Sequence, residues 1–210
     1  MQALTGGFAC ARCKGVWNLS KGRIEAFSDA IIAIIMTIMV LELAAPAGSS
    51  LASLAPLLPK FLAYGLSYLI LAIYWVNHHH LFQAVERVSG GVLWANMVLL
   101  FWLSLIPFVT AWAGDNSTAP IPVAIYGIIL LLAAIAYYIL VRTLIGIHPG
   151  ESPLAKAIGR DFKGKASVLI YALAIPASFL STYAGWSLYM VVALIWLVPD
   201  KRIENILRSQ

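Results

Sequence analysis

Six apolar runs divide the 210-residue chain, and most of them are long enough to cross a bilayer. A hydrocarbon core about 30 Å thick needs about 20 helical residues. The runs extend over Ile24–Ala45, Leu57–Leu81, Val92–Ala113, Ile121–Leu144, Ala166–Thr182 and Trp186–Val198. Within lipid each segment must satisfy its own backbone polar groups, so runs of this length predict helices. The fold class that follows is all-α, an integral membrane protein of about six transmembrane helices. Composition agrees: 61% of residues are hydrophobic and 11% charged, whereas a soluble domain is roughly 45–50% apolar and about 25% charged. A soluble fold of this length has too much surface to hide that apolar excess.

Proline, glycine and charge punctuate the runs. Pro46 and Gly48 end the first, Ser89-Gly90-Gly91 opens the third, and Pro107 predicts a kink inside it. Pro176 lies inside the fifth, and Ala184-Gly185 reads as a minimal turn before the sixth. The organisation expected is a disordered tail over 1–20, a six-helix membrane domain over 21–199 and a short basic tail over 200–210. The stretch before Lys21 lacks a continuous apolar core, so no cleaved signal is expected. Cys10 and Cys13 supply two thiols with no second ligand pair nearby, which is short of a zinc site.

Charge gives the orientation. With the N-terminal side called inside, thirteen of the fourteen Lys and Arg residues fall on that side, and Lys60 is the exception. Cytoplasmic loops carry such an excess, so both termini are expected in the cytoplasm of a multi-pass cell-membrane protein. The net charge of +5 is thus a topology signal; no nucleic-acid-reading motif accompanies it.

Ionisable groups at membrane depth are costly and need partners. Asp29 lies about 9 Å along the first helix at 1.5 Å per residue. Asn77, His78, His79 and His80 end the second helix at the same level, and Trp94 and Asn96 begin the third there. Arg23 opens the first helix beside them. The residues suit a structural network joining three helices. A metal site is disfavoured, because consecutive histidines on a helix point about 100° apart. With Ile34 set at zero, Ile38 lies at about +40°, Leu41 at about −20°, Thr37 at about −60° and Asp29 at about −140°. One face carries the polar anchor and the other a bulky apolar stripe with one hydroxyl.

Arg23-x-x-x-Phe27-Ser28-Asp29, opening a helix that holds Thr37 and ends Leu41-Glu42-Leu43, resembles the signature of the transmembrane protein 175 family of potassium channels, in its bacterial single-repeat branch. Tyr74-Trp75-Val-Asn77-His78-His79-His80 and the Asn96–Phe108 segment are similar to the family as well, so the resemblance covers about residues 20–112. Ala30 departs from the glycine that often follows the aspartate. The resemblance implies a potassium-permeable leak channel, modestly selective over sodium, with first helices lining a central pore. It makes Ile34, Ile38 and Leu41 the hydrophobic constriction and Thr37 a selectivity hydroxyl. Arg23, Phe27, Ser28 and Asp29 would join Trp75, His78 or His79, and Asn96 in a structural network. One six-helix unit per chain implies a homotetramer, since animal members carry two. Neither cofactor nor metal is implied; potassium is the permeant ion and the bilayer the surroundings. No Thr-Val-Gly-Tyr-Gly-like filter loop occurs.

Two other functional classes could use parts of this pattern. A proton-coupled secondary transporter would use Asp29 and a histidine of 78–80, yet no second copy of the first-helix pattern is seen. An enzyme would need a nucleophile, a metal set or a phosphate loop, and Ser28 beside Asp29 is none of these.

Overall fold

The computed structural model describes residues 21–46, 48–85, 87–147 and 162–197. Cys10, Cys13, most of the polar loop and the basic C-terminal tail lie outside the described residues. The elements are α1 (Lys21–Leu41), a 3₁₀ segment (Leu51–Leu57), α2 (Leu58–Gln83), α3 (Gly90–Ser104), α4 (Ile106–Asp115), α5 (Pro120–Gly146), α6 (Phe162–Leu180) and α7 (Thr182–Leu197). No strand occurs among the described residues. With α3 and α4 taken as one span, five are long and apolar enough to cross a membrane, and Thr182–Leu197 is apolar but shorter.

Local chemistry explains where the boundaries differ from those expected. The first helix stops at Leu41 instead of Ala45, and its last turn closes by Leu43 N–H donating to Val40 O at 3.1 Å. Pro46 biases Ala45 toward extended backbone, so the helix unwinds before it. The third span breaks at Leu105, just before Pro107, which has no N–H to give and whose ring crowds the carbonyl of Leu103. The turn into the last helix falls at Ser181, and Ala184-Gly185 belongs to α7. Gly185 serves packing: a Cβ there would collide with the Ser178 hydroxyl.

The helices segregate around α5. It packs on α3, α4, α6 and α7, while α2 packs on α4 and α7. Its partner in the centre is Tyr189 of α7, fully buried, which donates to Val123 O at 3.1 Å and rests on Gly127. Beside it Thr110 donates to Ser67 at 2.7 Å, and Ser67 bonds Tyr126 at 2.8 Å. These hydroxyls satisfy one another where lipid and core offer nothing else.

Helix α1 sits at the edge, against α2, α3 and α4. Lys21 Nζ donates to Gln83 O at 3.4 Å at one end of the bundle. At the other end Lys60 pairs with Asp115 at 3.0 Å. The helix ends thus set Lys21, Arg23, Arg87, Arg142, Lys163 and Lys165 apart from Lys60, the one basic residue at the opposite end among those described.

Candidate functional site

Because α1 is peripheral, its sequence splits into two faces. Ile24, Ser28, Ile32, Ile35 and Met39 are buried against the bundle at i, i+4, i+8, i+11 and i+15, the spacing of one helical face. The opposite side holds Ile34 (56% exposed), Ile38 (41%) and Leu41 (80%), with Thr37 exposed beside them. Among the described residues, no side chain buries this stripe.

The buried face is fixed by polar side chains. Asn96 on α3 donates its amide N–H to Ser28 Oγ at 2.8 Å. Its amide oxygen accepts from His78 Nε2 at 2.8 Å. The assignment is self-consistent: Asn96 gives a proton to α1 and takes one from α2, so His78 carries its proton on Nε2. Ser28, His78 and Asn96 are all buried. A second branch runs at the helix flank, where Trp75 Nε1 donates to Asp29 Oδ1 at 3.0 Å. His79 stacks on the Trp75 ring with centroids 5.9 Å apart and accepts from Gln83 Nε2 at 2.8 Å.

The structure therefore brings Ser28, Asp29, Trp75, His78, His79 and Asn96 together, and divides them into two branches. Arg23 and Phe27, expected in the same network, lie outside it among the described residues. Both are exposed, and both sit on the stripe side of α1. The helical wheel explains this: Arg23 and Phe27 fall within about 20° of Ile34. Extending the wheel to the start of the helix reveals that relation from sequence. His78 bonds Asn96, while His79 stacks on Trp75 and lies 5.9 Å from the His80 ring; no group of three or more His, Cys, Asp or Glu suited to a metal occurs among the described residues.

Thr37 carries a feature that sequence does not disclose. Its Oγ1–H donates to Ile34 O at 2.8 Å. The hydroxyl proton is used within the helix, and the oxygen lone pairs are what the exposed face presents. Beside the stripe, Ile31, Ile34, Ile38, Phe108 and Trp112 line an open apolar groove between α1 and α4, with Glu42 at its rim.

Comparison with known proteins adds lineage to this geometry. The family model described as "Endosomal/lysosomal potassium channel TMEM175" matches residues 23–107. A protein from Chryseobacterium sp. (strain P1-3), named a potassium channel, is 54% identical over 191 residues, covering 91% of this chain and all of that one. One from Streptomyces collinus, also named a potassium channel, is 28% identical and covers 83% of this chain and 90% of its own length. Among solved structures, the Chamaesiphon minutus protein described as a lysosomal potassium-selective channel TMEM175 homolog superposes with a TM-score of 0.75 at 28% identity. That match covers 86% of this chain and 97% of the other.

Proposed function

The chain belongs to the TMEM175 potassium-channel family, a family of ion channels and not of enzymes, and from that membership we propose that it is a potassium-permeable leak channel whose pore is lined by α1. The observation that carries the reading is the exposed Ile34–Thr37–Ile38–Leu41 stripe on the helix face turned away from the Ser28–Asn96–His78 anchor. In the proposed assembly four chains surround an axis in the cell membrane with both termini in the cytoplasm. The anchors hold each α1 from behind, and the stripes meet around the ion path.

The chemistry of that path follows from the side chains. Rings of Ile34, Ile38 and Leu41 give an ion nothing to coordinate, and a narrow apolar ring sheds water and raises a barrier. Flux is accordingly slow, and potassium, which gives up hydration water more readily than sodium, passes with modest preference. Thr37 supplies the exception. With its proton held by Ile34 O, it offers a passing cation oxygen lone pairs. Potassium is the permeant ion, and the reading calls for no cofactor.

The test is ion flux in proteoliposomes. Ile34→Asn and Ile38→Asn each increase potassium flux and weaken discrimination against sodium if the stripe is the constriction. Unchanged flux in both variants overturns the assignment. The proton-coupled alternative is weakened by geometry, since Asp29 is bonded to Trp75 and His78 to Asn96 in separate branches. Saturating flux that requires a proton gradient would reinstate it.

A further inference from the structure

We infer that each protomer holds a small cluster of ordered water molecules between α2 and the α6–α7 hairpin, bound by Tyr74, Asn77 and Tyr171. A cavity of about 50 Å³ lies there, lined by these three residues with Tyr137, Ser167 and Trp196 among others. It is separate from the α1 stripe, and the inference does not depend on what that stripe conducts.

The polar atoms of the residues named can be accounted for one by one. Ser167 is satisfied: it donates to Lys163 O at 2.8 Å and accepts from Trp196 Nε1 at 2.7 Å. Tyr137 donates to Asn77 O at 3.3 Å. Asn77 spends an amide proton on Ile73 O at 2.8 Å. Left without a protein partner among the described residues are the hydroxyls of Tyr171 and Tyr74 and the side-chain oxygen of Asn77. Tyr171 is only 3% exposed, so neither bulk water nor lipid headgroups reach its hydroxyl. The other large buried tyrosines differ: Tyr126 bonds Ser67, and Tyr189 bonds Val123 O.

Magnitudes decide what fills the space. An unpaired buried hydroxyl costs about 1–3 kcal/mol; Tyr171 is buried and Tyr74 and Asn77 are partly buried, so a guest that bonds them is favoured. A water needs at least about 10–15 Å³ by this measure and two to four polar partners, and the cavity meets both conditions for about three molecules. An aromatic guest does not fit, because a benzene-sized site is about 150 Å³. Most of the lining is apolar, so the waters are confined to the Tyr74, Asn77 and Tyr171 oxygens that supply their partners. Waters here bridge α2 to α6, at the level where α2 carries Asn77 next to the His78 anchor.

Radiolytic labelling of the full chain in lipid nanodiscs, read by mass spectrometry, tests this. Radicals form from the water itself and oxidise the side chains it touches. Tyr171 is expected to label several-fold faster than Tyr126 and Tyr189, which are as deeply buried but bonded to protein. Equal rates for the three overturn the inference. Filling the cavity with Ala134→Leu is expected to bring Tyr171 down to the Tyr126 rate, while the exposed Tyr183 is unchanged. Undiminished labelling of Tyr171 in that variant also overturns it. Should Ala134→Leu fail to fold, Ala193→Val puts the same question with a smaller added side chain.

Discussion

Asn96 and Ser28 are 68 residues apart in sequence and share a 2.8 Å hydrogen bond in the buried seam between α3 and α1. The same Asn96 accepts from His78, so one amide joins three helices. Asn96→Ala should therefore destabilise more than Ser28→Ala, because it strands two buried groups instead of one. Each stranded group costs about 1–3 kcal/mol. Thermal unfolding of the purified protein should rank Asn96→Ala below Ser28→Ala and both below the parent; the reverse order would remove Asn96 from the centre of the anchor.

Asp29 is held from the flank by the Trp75 indole. Asp29→Ala is expected to lower the yield of assembled protein on size exclusion. Asp29→Asn keeps an oxygen to accept the indole N–H and should retain more of it. A fully assembled, normally conducting Asp29→Ala protein would show that this branch is dispensable.

Thr37 separates two effects in the proposed pore. Thr37→Val keeps shape and removes the oxygen, and is expected to lower the potassium-to-sodium flux ratio. Thr37→Ser keeps the oxygen and should stay near the parent ratio. Equal ratios in all three proteins would mean that the lone pairs at this position do not act on the ion.

Gly127 tests the core. A Cβ at this position would meet the Tyr189 hydroxyl and ring, and overpacking of this kind costs about 1–3 kcal/mol. Gly65, on α2, has nothing within 4 Å of a built Cβ. Gly127→Ala should lower the melting temperature, and Gly65→Ala should hold or raise it, since alanine is favoured over glycine in a helix by about 1 kcal/mol. Equal melting temperatures would argue against the tight Gly127–Tyr189 contact.

The number and class of the helices were legible because lipid-length apolar runs permit few alternatives. The ends of the helices were less so: Gly185 looks like a turn residue in sequence, and only the Ser178 hydroxyl beside it shows that it is a packing glycine. The network residues could be listed from sequence, but not their pairing. Which of His78 and His79 reaches Asn96 depends on the rotation of α2, which is set by contacts distant in sequence. Within the protomer Arg23 lies away from its motif partners Ser28 and Asp29, because helical geometry outweighs adjacency. The Thr37 hydroxyl bond and the Tyr189–Gly127 contact left no pattern in the sequence at all.

The edge position of α1 has an evolutionary corollary. A side chain that its own protomer leaves bare contributes little to that protomer's folding, so Ile34, Thr37, Ile38 and Leu41 can vary at small thermodynamic cost to the subunit. Ser28, Ile32, Ile35 and Met39, one step around the same helix, cannot. On the proposed reading of the stripe as pore lining, divergence in conduction among related chains has a place to accumulate that leaves the architecture intact.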